Sequence, residues 1–296
     1  MSAYAMTAGK PGAGPAHRIS RDTMRRGVLL APALLLVIGL VVLPGLWLLA
    51  LSFIEKGHFS FAHYERMLTY SSYYRILIAT FRISLVVTLI CIVLGFPVAY
   101  LMAQLPARLA VVLTVLVILP LWTSVLVRTY AWLVLLTDGG PINRLLLSSG
   151  LIQTPLKLLF NETGTVIGMV HVMLPFFILP VYSAVRSFDW SLMQAAASLG
   201  APPRSAFWRV FVPLALPGVA AGSVLVLVQC LGFFVTPAVL GGGNVTMASM
   251  KIASNIQQYF DWGAASAFGV VLLLATLGLL LIAGRFVSLN RVLGPA

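Results

Sequence analysis

The sequence predicts an all-α membrane protein with six transmembrane helices. Sixty per cent of its 296 residues are hydrophobic and only 9% are charged, and a water-soluble domain of this length could not bury so much apolar surface. The apolar residues form six uncharged runs. Each run is long enough to cross a hydrocarbon layer of about 30 Å as a helix of about 20 residues.

The first three predicted spans are defined by the uncharged runs Gly27 to Ile54, Ile83 to Gln104 and Leu109 to Val127. The first is preceded by an arginine pair, as in a secretion signal, but it is too long for the apolar region of a signal peptide. We therefore expect it to remain as an uncleaved first helix. The third contains Pro120, which removes one backbone hydrogen bond and is expected to break or kink the helix.

The last three predicted spans are Thr163 to Val185, Val210 to Met250 and Trp262 to Gly284. The fifth run is too long for a single crossing. Its helix is predicted to end near Leu240, where three consecutive glycines follow. Two prolines, Pro175 and Pro180, are expected to break the fourth span, and such a break is tolerated only beside protein or a water-lined cavity.

The net charge of +12 is interpreted as a signal of topology. If the N-terminus is cytoplasmic, most Lys and Arg residues fall in the cytoplasmic segments, so the positive-inside rule places both termini in the cytoplasm. Residues 1–26 are then a disordered cytoplasmic tail, residues 27–285 the membrane domain and residues 286–296 a cytoplasmic C-terminal tail. This distribution argues against a nucleic-acid partner. The outer loops, Glu55 to Arg75 and Asp138 to Glu162, are expected to contain short interfacial helices.

The segment between the fourth and fifth spans has a specific pattern of small residues, glycine and proline. Its first part is Gln194-Ala195-Ala196-Ala197-Ser198-Leu199-Gly200, and nine residues after the glycine it continues as Val210-Phe211-Val212-Pro213. Ser191 and Gln194 have capping-box spacing at the start of a helix, and Gly200 supplies the left-handed residue that ends it. Pro202 and Pro203 suit the first turn of a second short helix, which should end where Pro213 opens the next span.

This pattern resembles the cytoplasmic coupling loop of binding-protein-dependent ABC importer permeases of type I. The family pattern is Glu-Ala-Ala, three residues, Gly, nine residues, then Ile-x-Leu-Pro. The resemblance implies that residues 187–213 form a loop that docks on a separate ATPase subunit, the alternative being a plain helical connector. The implied coupling residues are Gln194, Ala195, Ala196, Gly200, Val210, Val212 and Pro213. Gln194 departs from the family glutamate, because an amide can only form hydrogen bonds where a carboxylate can pair with a basic group.

The resemblance also implies the partners and the location of the protein. These are two ATP-binding cassette subunits, a second homologous permease subunit in a heterodimer or homodimer, a periplasmic solute-binding protein and the lipid of the bacterial inner membrane. The chain has no P-loop of the GxxxxGK[ST] type. No cofactor is therefore expected in this chain, and ATP and Mg²⁺ are expected in the partner ATPase subunits.

The stretch from Leu119 to Asn143 is similar to the spermidine/putrescine branch of the same permease family, which implies a polyamine or a related small organic solute. A polyamine cation would meet aromatic faces by cation–π contact, because the spans contain no carboxylate. The candidate residues of the translocation pathway are Trp122, Arg128, Tyr130, Phe176, Phe177, Gln229, Phe233 and Phe234.

Alternatives exist for several of these residues. Arg128 is an intramembrane charge and so a functional candidate, but it also lies near a helix end, where it could reach the headgroups. Each phenylalanine could simply pack between helices. Arg82 is expected to reach the headgroups in the same way. His171, without a nearby carboxylate, is interpreted as a packed or hydrogen-bonded residue.

Other function classes agree less well with the sequence. A membrane enzyme needs nucleophilic, acid–base or metal-binding residues at one depth, and no acidic residue lies in a span, so no catalytic or metal site is predicted. A secondary transporter has broken helices at mid-membrane but usually needs an intramembrane carboxylate. An importer of an anionic or zwitterionic solute, such as an organic acid, sulfate or a phosphonate, remains open because of Arg128.

Overall fold

A computed structural model of the protein describes residues 30–286. The predicted tail of residues 1–26 and all of the predicted C-terminal tail except Phe286 lie outside the described residues. Helix α1 runs over Leu30–Leu51 and includes a π-helical turn at Ile38–Val42. It forms most of the described part of the first of two structural units, and the second unit starts at Leu51.

The second unit is helical apart from one two-stranded antiparallel hairpin, β1 (Ile54–Glu55) and β2 (His58–Phe59), in which Ile54 lies opposite Phe59. Its helices, in chain order, are α2 (Ala62–Thr69), α3 (Ser71–Gln104), α4 (Ala107–Ile118), α5 (Val125–Leu136), α6 (Pro141–Ser148), α7 (Glu162–Arg186), α8 (Ser191–Ser198), α9 (Pro203–Leu231), α10 (Val235–Leu240), α11 (Ala248–Gln257) and α12 (Trp262–Phe286). Helices α2 and α6 confirm the short helices predicted in the two loops.

The all-α fold with six membrane spans is confirmed, although the third span is broken. Within the described residues, α1, α3, α7, α9 and α12 are each long and apolar enough to cross a membrane. The remaining span, the third in chain order, is a pair of helical stretches, Ala107–Trp122 and Val125–Ser148, which are bent by 94° relative to each other. A 3₁₀ turn at Leu119–Trp122 contains Pro120. The break therefore lies where the sequence predicts it.

Three predicted boundaries were wrong. Helix α3 begins at Ser71, well before Ile83, because polar residues extend the helix beyond its apolar part. Helix α7 continues through Pro175 and Pro180 without a break. Helix α9 ends at Leu231 and not near Leu240, since the chain leaves the helix at Gly232 and restarts it in α10.

The core of the second unit is formed by α3, α7 and α9. Helix α7 lies between the other two and presents fully buried residues to both, among them Met169, Phe177 and Val181. Gly218 and Gly222 allow α9 to approach α7 closely, since a side chain at either position would collide with Ala184, Val181 or Phe177. Small residues at i and i+4 favour such close helix packing in membranes.

Candidate functional site

Helix α8 carries the predicted coupling residues and begins with a different cap from the predicted one. Trp190 is the N-cap residue and makes no side-chain cap. The Asp189 carboxylate instead accepts the backbone N–H of Ser191 at 2.9 Å. Hydrogen bonds from the side chain and the backbone of Ser191 hold the pKa of Asp189 below its usual range. The predicted capping box of Ser191 and Gln194 was therefore wrong, because the Asp189 carboxylate accepts the hydrogen bond from the Ser191 amide and caps the helix instead.

The end of α8 is as predicted. Gly200 has φ +81°, in the left-handed region. The N–H of Gly200 donates to Ala197 O at 2.9 Å, and the N–H of Ala201 donates to Ala196 O at 3.0 Å. These two bonds form a Schellman motif. Pro202 then turns the chain into α9, whose first residue is Pro203.

The first half of the predicted coupling motif, Gln194 to Gly200, leaves one side of α8 open to solvent. Gln194, Ala195 and Gly200 are exposed, and Leu199 exposes 88% of its surface. A side chain added at Gly200 would meet no atom within 4 Å. Ala195 and Gly200 therefore leave the backbone of α8 accessible, beside the exposed side chains of Gln194 and Leu199.

The second half of the motif lies on α9. Ala196, Val210 and Val212 are half-buried, whereas Pro213 is exposed. The predicted boundary at Pro213 was wrong: the helix runs on from Pro203 through a π-helical turn at Phe207–Phe211. A proline in this place is tolerated because the wider turn already alters the backbone hydrogen bonds around it.

A cluster of six aromatic rings, here called the aromatic anchor, joins this loop to the membrane domain. Its centre is Phe211, which is fully buried. The Phe211 ring centroid lies 5.2 Å from that of Tyr100 on α3 and 5.7 Å from that of Trp190, stacked on it. The complete anchor comprises Phe96, Tyr100, Phe188, Trp190, Phe207 and Phe211.

The aromatic anchor connects both ends of the loop with α3. Rings with centroids 4.5–7 Å apart attract one another, each pair adding about 0.5–1.5 kcal/mol beyond area burial. The anchor therefore packs the residues just before α8 against both α3 and the start of α9. Sequence reasoning missed these residues, although the density of aromatic residues between Phe188 and Phe211 was a usable signal.

The break in the third span determines the positions of three pathway candidates, Trp122, Arg128 and Tyr130. After the 3₁₀ turn, Thr123 has extended backbone, and its hydroxyl donates to Pro120 O at 2.7 Å. Trp122 is 88% exposed and Tyr130 is 56% exposed. Arg128, in contrast, is only 8% exposed, and its Nε and Nη1 atoms have no hydrogen-bond partner among the described residues. Arg128 therefore differs from the two aromatic candidates in exposure, because it is buried and they are exposed.

The break in the fifth span lies beside the break in the third. The Thr129 hydroxyl on α5 and the Thr236 hydroxyl on α10 are 3.1 Å apart and both are buried. The carbonyl of Phe233, freed by the end of α9, accepts a hydrogen bond from the Ser249 hydroxyl at 2.7 Å. The two broken spans are thus joined to each other by a side-chain hydrogen bond.

The other candidates differ in accessibility. Gln229 and Phe234 are exposed, while Phe176 and Phe233 are half-buried. Phe177 is fully buried in the contact of α7 with α3 and α9, as expected if this phenylalanine simply packs between helices. The pathway role of Gln229, Phe234, Phe176 and Phe233 stays a prediction, since it is not tested by their exposure.

His171, which is half-buried, and Arg82, which is exposed, both have side-chain partners within the chain. Trp132 on α5 donates from Nε1 to His171 Nδ1 on α7 at 3.0 Å, which confirms His171 as a hydrogen-bonded residue. Arg82 forms an ion pair with Glu162, the first residue of α7. It therefore has a partner within the chain, in addition to the predicted access to headgroups.

Comparison with known proteins gives relatives over most of the chain. The chain is 33% identical over 249 residues to the spermidine/putrescine transport system permease protein PotB of Escherichia coli (strain K12), covering 82% of this chain and 90% of the relative. It is 34% identical over 245 residues to PotB of Haemophilus influenzae, covering 80% and 86%.

Solved structures match the fold over nearly the whole chain. A chain of a bacterial ABC transporter involved in import of the acidic polysaccharide alginate gives a TM-score of 0.70 at 18% identity, covering 92% of this chain and 97% of that chain. The alginate transporter in complex with its alginate pentasaccharide-bound periplasmic protein gives 0.72. Both have the type I ABC importer permease fold.

Residues 92–292 match the family model described as binding-protein-dependent transport system inner membrane component. This range contains the open face of α8, the aromatic anchor and both broken spans. Membership removes the ion-coupled secondary transporter as an alternative. The chain belongs to the family of binding-protein-dependent inner-membrane transport components and is a permease subunit of an ABC importer.

Proposed function

We propose that this permease carries polyamines across the bacterial inner membrane, with both termini in the cytoplasm. It works with a second, homologous permease subunit, two ATP-binding cassette subunits and a periplasmic solute-binding protein. ATP and Mg²⁺ bind to the ATPase subunits. The similarity to PotB carries the proposed solute class, and the open face of α8, joined to the membrane core by the aromatic anchor, supports the coupling to ATPase subunits.

The coupling role rests on the combination of exposure and anchoring. An ATPase subunit that docks on Ala195 and Gly200 contacts the backbone of α8 closely, because these residues have few side-chain atoms, and the exposed Leu199 side chain offers an apolar contact. The stacked Trp190 and Phe211 rings then transmit a movement of α8 to α3. Family pattern and geometry both support residues 187–213 as the coupling loop.

The solute class is supported by the relatives and by side-chain chemistry. Both PotB proteins named above are spermidine/putrescine permeases. The exposed rings of Trp122, Tyr130 and Phe234 offer faces that attract ammonium groups, at about 0.5–2 kcal/mol each depending on desolvation.

Transport by the complete complex tests the proposal. Proteoliposomes that contain both permeases and the ATPase subunits, supplied with the binding protein and ATP, should accumulate labelled putrescine or spermidine. Omission of the binding protein is the matched control and should abolish uptake. ATP-driven uptake confined to anions would refute the polyamine assignment while leaving the importer class intact.

A second candidate is an anionic or zwitterionic solute, and the observation that favours it is Arg128. A buried guanidinium with unpaired nitrogens attracts carboxylate or phosphate groups. Under this alternative, the complex would take up a labelled anionic solute, and an excess of the same unlabelled solute would suppress that uptake. Arg128→Met would abolish the uptake of the anionic solute. Under the polyamine proposal, anions leave putrescine uptake unchanged.

A further inference from the structure

Lys251 on α11 places its ammonium group against two aromatic rings. Its Nζ atom lies 5.4 Å from the ring centroid of Tyr73 and 5.2 Å from that of Tyr259. Both distances are within the range of about 6 Å in which a cation is attracted to the face of a ring. Among the described residues, Lys251 takes part in no ion pair. The two rings, here called the tyrosine clamp, therefore hold this ammonium in place of a carboxylate.

The tyrosine clamp lies beyond the apolar part of the bilayer. Helix α3 has 34 residues, about 51 Å at the usual helical rise, and so is longer than the hydrocarbon layer of about 30 Å. Tyr73 is its third residue. Arg82, further along α3, pairs with Glu162 at the start of α7, so the first turns of α3 extend past α7 on the side opposite α8. In the topology proposed above, this side is the periplasm.

Both rings are held by the protein without the help of Lys251. Tyr73 packs edge to face on Phe268 of α12, with the ring centroids 5.6 Å apart. The N–H of Tyr259 donates to Ser254 O at 3.3 Å, which fixes the chain just after α11. Lys251 is half-buried and Tyr259 is 65% exposed, so the clamp is accessible from water. If the lysine side chain moves away, two preformed ring faces remain.

The charges around the clamp favour a cation. Asp261 is close enough to Tyr73 for the two to interact electrostatically. Asp261 shares the guanidinium of Arg66 with Glu55, so this group of three has two carboxylates for one guanidinium and carries a net negative charge. The Lys251 ammonium balances that charge. A solute that displaces Lys251 must therefore bring a positive charge of its own.

We propose that the tyrosine clamp is a binding site for the primary ammonium group of an amine solute, and that Lys251 occupies it when no solute is bound. The inference rests on the proposed function for the polyamine class and for the outward orientation of the site. The lysine ammonium and the terminal ammonium of putrescine or spermidine are the same chemical group, so one replaces the other on the same ring faces. The flexible four-carbon stem of lysine allows its ammonium to move into water.

Photoaffinity labelling tests the clamp in the assembled complex. The complex of both permeases and the ATPase subunits, in nanodiscs of phosphatidylglycerol, is irradiated with a putrescine derivative that has a diazirine at one end and a free primary ammonium at the other. Mass spectrometry should find the label on the peptides that contain Tyr73 and Tyr259. An excess of unlabelled putrescine should suppress the labelling.

Variants of the competing lysine give the sharpest comparison. Lys251→Met removes the competing ammonium, so half-maximal labelling should require about fivefold less probe, as expected for the loss of one cation–π competitor. Lys251→Arg keeps a competing cation and should label like the wild type. Lys157→Met is the matched control, because Lys157 is an exposed lysine in the other outer loop. It should leave the labelling unchanged.

The rings are tested by a second pair of variants. Tyr259→Ala removes an exposed ring, which spares the packed core, and should reduce labelling of the Tyr73 peptide by about fivefold. Tyr259→Phe keeps the ring face and should retain the labelling. Equal loss in both variants would contradict recognition by the ring face.

The outcomes separate the clamp from the proposed function. Equal labelling of the wild type, Lys251→Met and Tyr259→Ala refutes the clamp, even if the complex imports polyamines. Labelling that phosphatidylethanolamine in the nanodisc suppresses and putrescine does not also refutes it, and assigns the rings to lipid headgroups. Labelling that follows the prediction in a complex without polyamine import supports the clamp and refutes only the transported solute class.

Discussion

The two ends of helix α9 are held in contrasting ways. At its start, the aromatic anchor surrounds Phe211 with five rings, and the adjacent α8 is exposed. At its end, the helix breaks at Gly232, and the next segment, α10, packs its buried Leu240 against Gly168 of α7. Two hydrogen bonds, Thr129 to Thr236 and Ser249 to Phe233, hold the broken spans in addition. The first end is held by packed rings and can therefore transmit a movement, whereas the second combines apolar packing with hydrogen bonds across the two breaks.

The largest expected effect is that of Phe211→Ala at the start of α9. Removal of a fully buried Phe in a packed core costs about 3–5 kcal/mol, and all five ring contacts are lost with it. The variant should show the lowest melting temperature in detergent and should lose substrate-stimulated ATPase activity. Trp208→Ala is the stability control, because Trp208 is 61% exposed and its only ring contact among the described residues is with Phe207. Equal stability of the two variants would argue against a rigid anchor.

Gly200→Leu should affect coupling more than stability. A non-glycine residue in the left-handed region costs about 1–2 kcal/mol, and the added side chain lies on the docking face. Affinity-tagged permease with this change should lose its ATPase subunits. Gly150→Leu is the matched control: Gly150 has φ +74°, ends α6 in the same motif and has open space around it. If both variants retain the ATPase subunits equally, the docking role of α8 is contradicted.

Thr129→Val should have a smaller effect, at the end of α9. The change removes the hydrogen bond to Thr236, and such bonds between membrane helices contribute about 0.6 kcal/mol on average. We expect a modest decrease in melting temperature and a measurable change in transport rate. Thr114→Val is the control, since the Thr114 hydroxyl bonds only to Ala110 O of its own helix. Identical melting curves for the two variants would show that the threonine pair does not join the broken spans.

Gln194→Glu should have the smallest effect. The side chain is exposed, and a carboxylate in the first turn of α8 is favourable by about 0.3–1 kcal/mol. It can also pair with a basic group on the ATPase. Substrate-stimulated ATPase activity should stay the same or increase. A clear decrease would show that the amide itself makes a required contact.

The sequence predicted the features that depend on local backbone chemistry. Gly200 ends α8 because only glycine adopts its conformation without strain, and Pro120 breaks the third span because it lacks an N–H. The break at Gly232 was missed, because nothing local distinguishes this glycine from Gly218 or Gly222 within the same helix. That break depends on hydrogen bonds to Thr129 and Ser249, which are distant in the chain.

The reverse error occurred in α7. Pro175 and Pro180 have the local chemistry of a helix break, but the helix is continuous because packing against α3 and α9 holds it. The aromatic anchor was missed for a similar reason, since Tyr100 meets Phe211 only after the helices pack. Local signals therefore predicted the turn at Gly200 and the break at Pro120, whereas the interior of the membrane domain required tertiary contacts.

Protection of α8 by the ATPase subunits tests the central claim most directly. The native cysteines, Cys91 and Cys230, are fully buried, so a single added Ala195→Cys reports on the exposed face of α8 through its rate of maleimide modification. Leu68→Cys, at an 86% exposed position on α2, is the control. We predict that the ATPase subunits suppress modification at residue 195 and leave residue 68 unchanged. Equal rates at residue 195 with and without the ATPase subunits would contradict the coupling role of residues 187–213.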